Sequence, residues 1–152
     1  MRTRNHIIVS AGVSAGLQTT IHSWPATAAC FFSGFLIDVD HYLDYFIIRK
    51  KFPYRYNDLY DFCMYSKQSK VYLFLHAYEF LLALWLSICF FHLGKVWLGV
   101  AIGVTIHLVF DQFINPIKPL FYFLTYRIMN KFDTKRTLSE AYFQRKSKDS
   151  AL

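Results

Sequence analysis

The chain has 152 residues, room for one domain and not for two of ordinary size. With 55% apolar and 20% aromatic residues it is too apolar for a typical soluble domain of this length, so its formal charge of +7 has to be placed before it is read as a nucleic-acid signal. Cys30, Cys63 and Cys89 are odd in number and lack paired spacing, which argues against a disulfide framework.

The first predicted element, His6–Leu17, is weakly apolar and rich in small residues. Its Gly12 and Gly16 form a GxxxG spacing that lets helices approach closely in lipid. A basic start before an apolar run also fits a secretory signal. No good cleavage site follows, and the chain stays apolar through Phe35, so a retained first helix is expected. Trp24–Ile48 is a second apolar stretch, interrupted by acidic residues from Asp38 onward. Val71–His92 and Val96–Asn115 are each long enough to cross a bilayer, which takes about 20 residues. The short turn at Gly94 and Lys95 makes these two an antiparallel hairpin, and Gly99 and Gly103 repeat the GxxxG spacing. Pro116–Met129 sets aromatics beside Lys118 and Arg127 and reads as an interfacial amphipathic helix, with a short fifth membrane segment as the alternative. The expected fold is all-α: an integral membrane bundle of about four transmembrane helices plus the C-terminal interfacial helix. Residues 1–129 would form the transmembrane domain and residues 130–152 a basic cytoplasmic tail.

Basic residues sort cleanly on this layout. Arg2 and Arg4 precede the first helix, six more lie between the second and third, and eight follow the fourth. Of the seventeen, only Lys95 falls on the other side. The positive-inside rule then puts both termini in the cytoplasm and predicts a multi-pass inner-membrane protein. Topology and anionic headgroups account for the charge, and nucleic acid is not needed as a partner.

Ionisable groups inside apolar segments are costly, about 2.5–3.5 kcal/mol each, and mark function by default. Here they cluster. The second segment ends in Asp38, Asp40, His41 and Asp44; the third begins with His76 and Glu79; the fourth carries His107 and Asp111; the first opens at His6. At ~1.5 Å rise per residue, alternating helix directions bring all four groups within about two turns of one level near the inner leaflet. The pairs His107/Asp111 and His76/Glu79 have spacings that share a helix face. Taken singly, Asp44 and His6 suit capping or a local ion pair, and His22 and His92 fall at the far-side turns. Taken together, His6, Asp38, Asp40, His41, His76, Glu79, His107 and Asp111 crowd carboxylates and imidazoles where few cationic side chains can neutralise them. Either several acids are protonated or metal ions sit among them. Mixed imidazole and carboxylate donors suit zinc or manganese, with iron also compatible, and the number of acids allows two divalent ions.

Four motifs, in this order, resemble those of the membrane-bound metal-dependent hydrolases, small bacterial and archaeal inner-membrane proteins that include the LexA-regulated type. They are NHII with His6, IDVDH with Asp38, Asp40 and His41, LHAYE with His76, and HLVFD with His107 and Asp111. The resemblance spans roughly residues 5 to 116. Ile37 stands where that family carries Pro, and KVYLFLHAYEF stands in place of its HRGxTHS stretch.

The leading expectation is a metal-dependent hydrolase at the cytoplasmic interface, working among membrane lipids on a phosphorylated lipid or lipid-linked substrate. The ion would activate water and polarise a phosphoryl or acyl oxygen, while Asp40 or Glu79 serves as general base, metal bridge or support for a ligand His. Lys70, Lys118 or Arg127 would meet a headgroup phosphate. A metal transporter with the same ligands is the second reading; four helices without inverted repeats would then have to form an oligomer. A third is a non-catalytic membrane subunit whose polar residues hold helices together.

Overall fold

A computed structural model describes residues 3–55, 58–59, 62–63, 69–115 and 117–143. Among them the chain is all-helical: α1 Thr3–Ile21, α2 Trp24–Leu36, α3 Val39–Arg49, α4 Tyr78–Phe90, α5 Lys95–Ile114, α6 Leu124–Met129 and α7 Thr134–Thr137. Extended pairing among the described residues is confined to two isolated bridges, Lys70 with Asp133 and Ile117 with Leu138. The fold divides into two compact units, one of Met1–Asp38 with Tyr78–Ile114, the other of Val39–Ala77 with Asn115–Leu152. Residues 130–143 belong to the second unit.

The first unit holds α1, α2, α4 and α5. Its central contact is α2 against α5, and it is made by small residues. A Cβ on Gly99 would collide with the Ala26 backbone, and one on Gly103 with Ser33 and the Cys30 carbonyl. This GxxxG therefore lets two backbones touch, while the one in α1 has open space around both Gly12 and Gly16. Polar ties complete the unit: Thr27 donates to Gln18 at 2.6 Å, Ser33 to the Val100 carbonyl at 3.1 Å, and Trp85 to Thr105 at 3.1 Å. Pro25 at the start of α2 has no amide hydrogen to lose there. His22 and His92 lie exposed beyond the ends of α1 and α4 with left-handed backbones, φ 50° and 48°.

The unit buries small and polar side chains beside a few apolar ones and leaves many large apolar side chains exposed. Buried positions of α5 are Gly99, Ala101, Gly103, Val104, His107, Leu108 and Asp111, whereas Trp97, Val109, Phe110, Phe113 and Ile114 are exposed. The apolar α4 buries none of its residues. On α1, His6, Ser10 and Ser14 face inward while Ile7 and Ile8 face out. Of the described helices, α5 alone is long and apolar enough to cross a membrane; α4 is apolar but shorter.

Three expected elements come out differently. Trp24–Ile48 breaks at Ile37 and Asp38, where the Asp38 amide reaches back only three residues, to Phe35. Val71–His92 becomes helical only at Tyr78, because side chains of the second unit take the backbone groups of Tyr72–His76 that a helix would use. Pro116–Met129 is not a single amphipathic helix: the helix there is the six-residue α6, and its Arg127 is fully buried.

The second unit has a small core of Tyr45, Leu59 and Phe62, with the Arg49 guanidinium 5.7 Å from the centre of the Phe62 ring. Residues 130–143 close over it. Asp133 caps α7 by accepting from the Lys135 amide at 2.8 Å, and the Tyr142 hydroxyl donates to the Cys63 carbonyl at 2.8 Å. Burial, helped by the neighbouring Cys63, pushes the Tyr142 hydroxyl up to about 12.

Candidate metal centre

Each unit gathers its own set of acids and imidazoles. In the first, His6 of α1 and His107 of α5 stack face to face, with ring centres 3.9 Å apart and planes 14° from parallel. Asp111, one turn beyond His107, lies with one oxygen 3.2 Å from His6 Nε2 and the other 3.5 Å from His107 Nε2. Asp38, just after α2, brings an oxygen to 3.5 Å from the same His107 nitrogen. His6, His107 and Asp111 are all buried, and their ligand atoms lie within 4.8 Å of one another.

The hydrogen bond on the far side of His107 decides what this geometry means. His107 Nδ1 lies 2.8 Å from the Gly34 carbonyl oxygen. A carbonyl only accepts, so Nδ1 carries the hydrogen. In the neutral ring Nε2 is then a lone pair, and it faces carboxylate oxygens of Asp38 and Asp111. Acceptors facing one another in so poorly solvated a place favour a positive charge close by, and a proton on the ring or a metal cation would supply it. Donor set, burial and spacing all fit a divalent ion.

In the second unit, Asp40 Oδ2 accepts from the amides of Leu75 at 2.6 Å and His76 at 3.1 Å, and lies 3.3 Å from His76 Nδ1. Its other oxygen, Oδ1, has no hydrogen-bond partner among the described residues, although Asp40 is only 1% exposed. Asp44 accepts from the amides of Tyr72 and Leu73 at 3.0 and 3.3 Å. On the carbonyl side of the same segment, the Arg127 guanidinium donates to Tyr72, to Leu73 at 2.7 Å and to His76 at 2.8 Å. The His41 ring centre is 5.3 Å from that of His76, and His41 Nδ1 is 3.7 Å from the Cys63 sulfur. Burial lifts Asp44 to about 6 against the pull of the two amides. Burial would lift Asp40 too, but the hydrogen bond and charge of His76 hold it below the ordinary carboxylate value.

His6, Asp38, His107 and Asp111 thus meet in the first unit, and Asp40, His41 and His76 in the second. Glu79 opens α4, half-buried, and joins none of the ligand groups of three among the described residues. Lys118 donates to the Arg136 carbonyl. Arg127, expected at a headgroup, is instead a buried donor to backbone. An isolated Arg in the apolar run FYFLTYRIM carried the same warning as the buried acids, since a charge there needs partners.

Fold and site define an all-helical protein with buried His–Asp groups able to hold a metal ion. No family model matches the chain, and neither does any curated protein or solved structure. The likeness to membrane-bound hydrolases therefore rests on the four motifs quoted above.

Proposed function

We propose that the chain is a membrane-embedded metal-dependent hydrolase, acting at the cytoplasmic interface on a phosphorylated lipid or a lipid-linked substrate. The observation that carries the metal is the Gly34–His107 hydrogen bond, which turns the lone pair of His107 Nε2 toward the Asp38 and Asp111 carboxylates. The bilayer segments in this reading are α1, α2, α4 and α5, ending at Leu36 on the second of them. It is supported by their apolar outer faces, with Ile8, Phe32, Leu82, Phe90, Trp97 and Phe113 all exposed, and by the polar groups they bury. The inner-membrane location with cytoplasmic termini follows from the placement of Lys and Arg.

The ligands of the first unit are His6, His107 and Asp111, with Asp38 as a fourth. A divalent ion there, zinc or manganese, would supply Lewis acidity and activated water. The Gly34 carbonyl fixes the His107 tautomer, and Asp111 lies beside Nε2 of both imidazoles. In the second unit, Asp40 takes Nδ1–H of His76 and leaves Nε2 as the coordinating nitrogen, with the His41 ring beside it. With Oδ2 committed to His76, Asp40 orients that ring, and the general base would be its other oxygen or Glu79 at the start of α4.

Elemental analysis of detergent-purified protein, wild type beside His107→Ala, tests the centre. We expect stoichiometric zinc or manganese in the wild type and less in the variant, with turnover of a lipid phosphate or ester that follows the metal. Wild-type protein that takes up neither ion defeats the reading. Bound metal without turnover, joined to metal flux in liposomes that Asp111→Ala abolishes, would point to transport.

A further inference from the structure

Residues 72–76 lie between two helices and make no helical hydrogen bonds of their own, yet most of their backbone polar groups are held by buried side chains. Asp44 takes the amides of Tyr72 and Leu73, and Asp40 those of Leu75 and His76. Arg127 fills the opposite side, donating to the carbonyls of Tyr72, Leu73 and His76. Leu73 is held in the left-handed region at φ 44°, a conformation that a leucine adopts only under constraint. Arg127 and Asp44 are 0% and 3% exposed, and each is committed to backbone. Burying a guanidinium and two carboxylates is expensive, and a plain loop could be held by cheaper means. What this frame controls is the one side chain in the segment with chemistry. The His76 ring lies 3.3 Å from Asp40 Oδ2 through Nδ1, which fixes Nε2 as the nitrogen presented to a ligand.

We propose that Arg127 and Asp44 are positioning residues that preset His76 for cation binding by clamping the Tyr72–His76 backbone from both sides. The inference rests on the proposal that His76 is a metal ligand, and it adds two residues that themselves touch no ion. Arg127 is suited to the task because its planar fork serves several carbonyls at once; lysine carries the same charge as a single point on a flexible stem. The frame acts in the unloaded protein too, since it sets the His76 tautomer before any ion arrives.

Full-length protein in detergent, with zinc as the probe, separates positioning from mere support. His76→Gln identifies the His76 imidazole signals in nitrogen-15 spectra and gives the zinc affinity without that ligand. In metal-free wild type the His76 signal should be that of the Nδ1–H tautomer. Arg127→Lys should mix the tautomers and weaken the zinc ion that depends on His76 by about 10- to 100-fold, with helix content retained. Should Arg127→Lys fail to fold, Asp44→Asn is read the same way. A folded variant that keeps the wild-type His76 tautomer and the wild-type zinc affinity overturns the proposal. If His76→Gln leaves zinc binding untouched, His76 is no ligand and that part of the functional reading fails; the metal-free tautomer still decides whether the frame sets the ring.

Discussion

Asp111 has one oxygen 3.2 Å from His6 Nε2 and the other 3.5 Å from His107 Nε2, within reach of an ion held by both rings. Asparagine has nearly the same shape but half the acceptors and no charge, so Asp111→Asn should release bound metal, measured as ion per protein after gel filtration, while the helix content stays. Asp44 carries a second residue-level prediction. The folded chain binds its proton more tightly than the unfolded chain, since burial lifts it to about 6. Its contribution to stability is therefore present at low pH and lost as pH rises from about 4 to about 6. The slope is at most about 1.4 kcal/mol per pH unit. Thermal unfolding of wild type and Asp44→Asn across this window should show the wild type losing stability relative to the variant as pH rises. His107 and Asp111 were legible as a pair from their spacing alone, whereas His6, taken singly, suited a helix cap as well as a ligand. The roles of Arg127 and Asp44 were not legible, because both act on backbone groups distant in sequence and no local pattern records such bonds.

At the scale of elements, the two GxxxG spacings look alike in sequence and differ in the fold. Gly103 has no room for a methyl group against Ser33 and Cys30, whereas Gly12 has open space. Gly103→Ala should cost about 1–3 kcal/mol by overpacking, and Gly12→Ala should be neutral or slightly stabilising through helix propensity. Comparing the two midpoints of denaturant unfolding checks both. Hydropathy located α5 almost to the residue, because its twenty positions form one nearly unbroken apolar run. It overextended the segments containing Asp38 and His76 for one reason: apolar composition reports burial in lipid or protein, and only the partners of the backbone decide whether the chain is coiled there.

For the molecule as a whole, the first unit's exposed Phe, Trp and Leu side chains and buried His, Ser and Asp side chains make water a poor solvent for its outer surface. The chain should stay with the membrane pellet through an alkaline carbonate wash. Phe113→Lys, a charge on the outer face of α5, should reduce membrane-inserted yield without changing metal content per folded molecule; equal yield would count against lipid contact at that face. The all-helical class was readable from composition and the length of the apolar stretches.

Helix α4 adds a consequence for variation. It buries none of its residues, so no neighbour demands a particular shape at most of its positions. In a saturation library selected for function, α4 should accept nearly any greasy residue beyond its first turn, the exceptions being Trp85, tied to Thr105, and, in that first turn, Tyr78, tied to Gln112, and Glu79 as a candidate base. Helix α5 should reject most changes along the stripe from Gly99 to Asp111. One apolar helix would be selected for its solvent and the other for its fit.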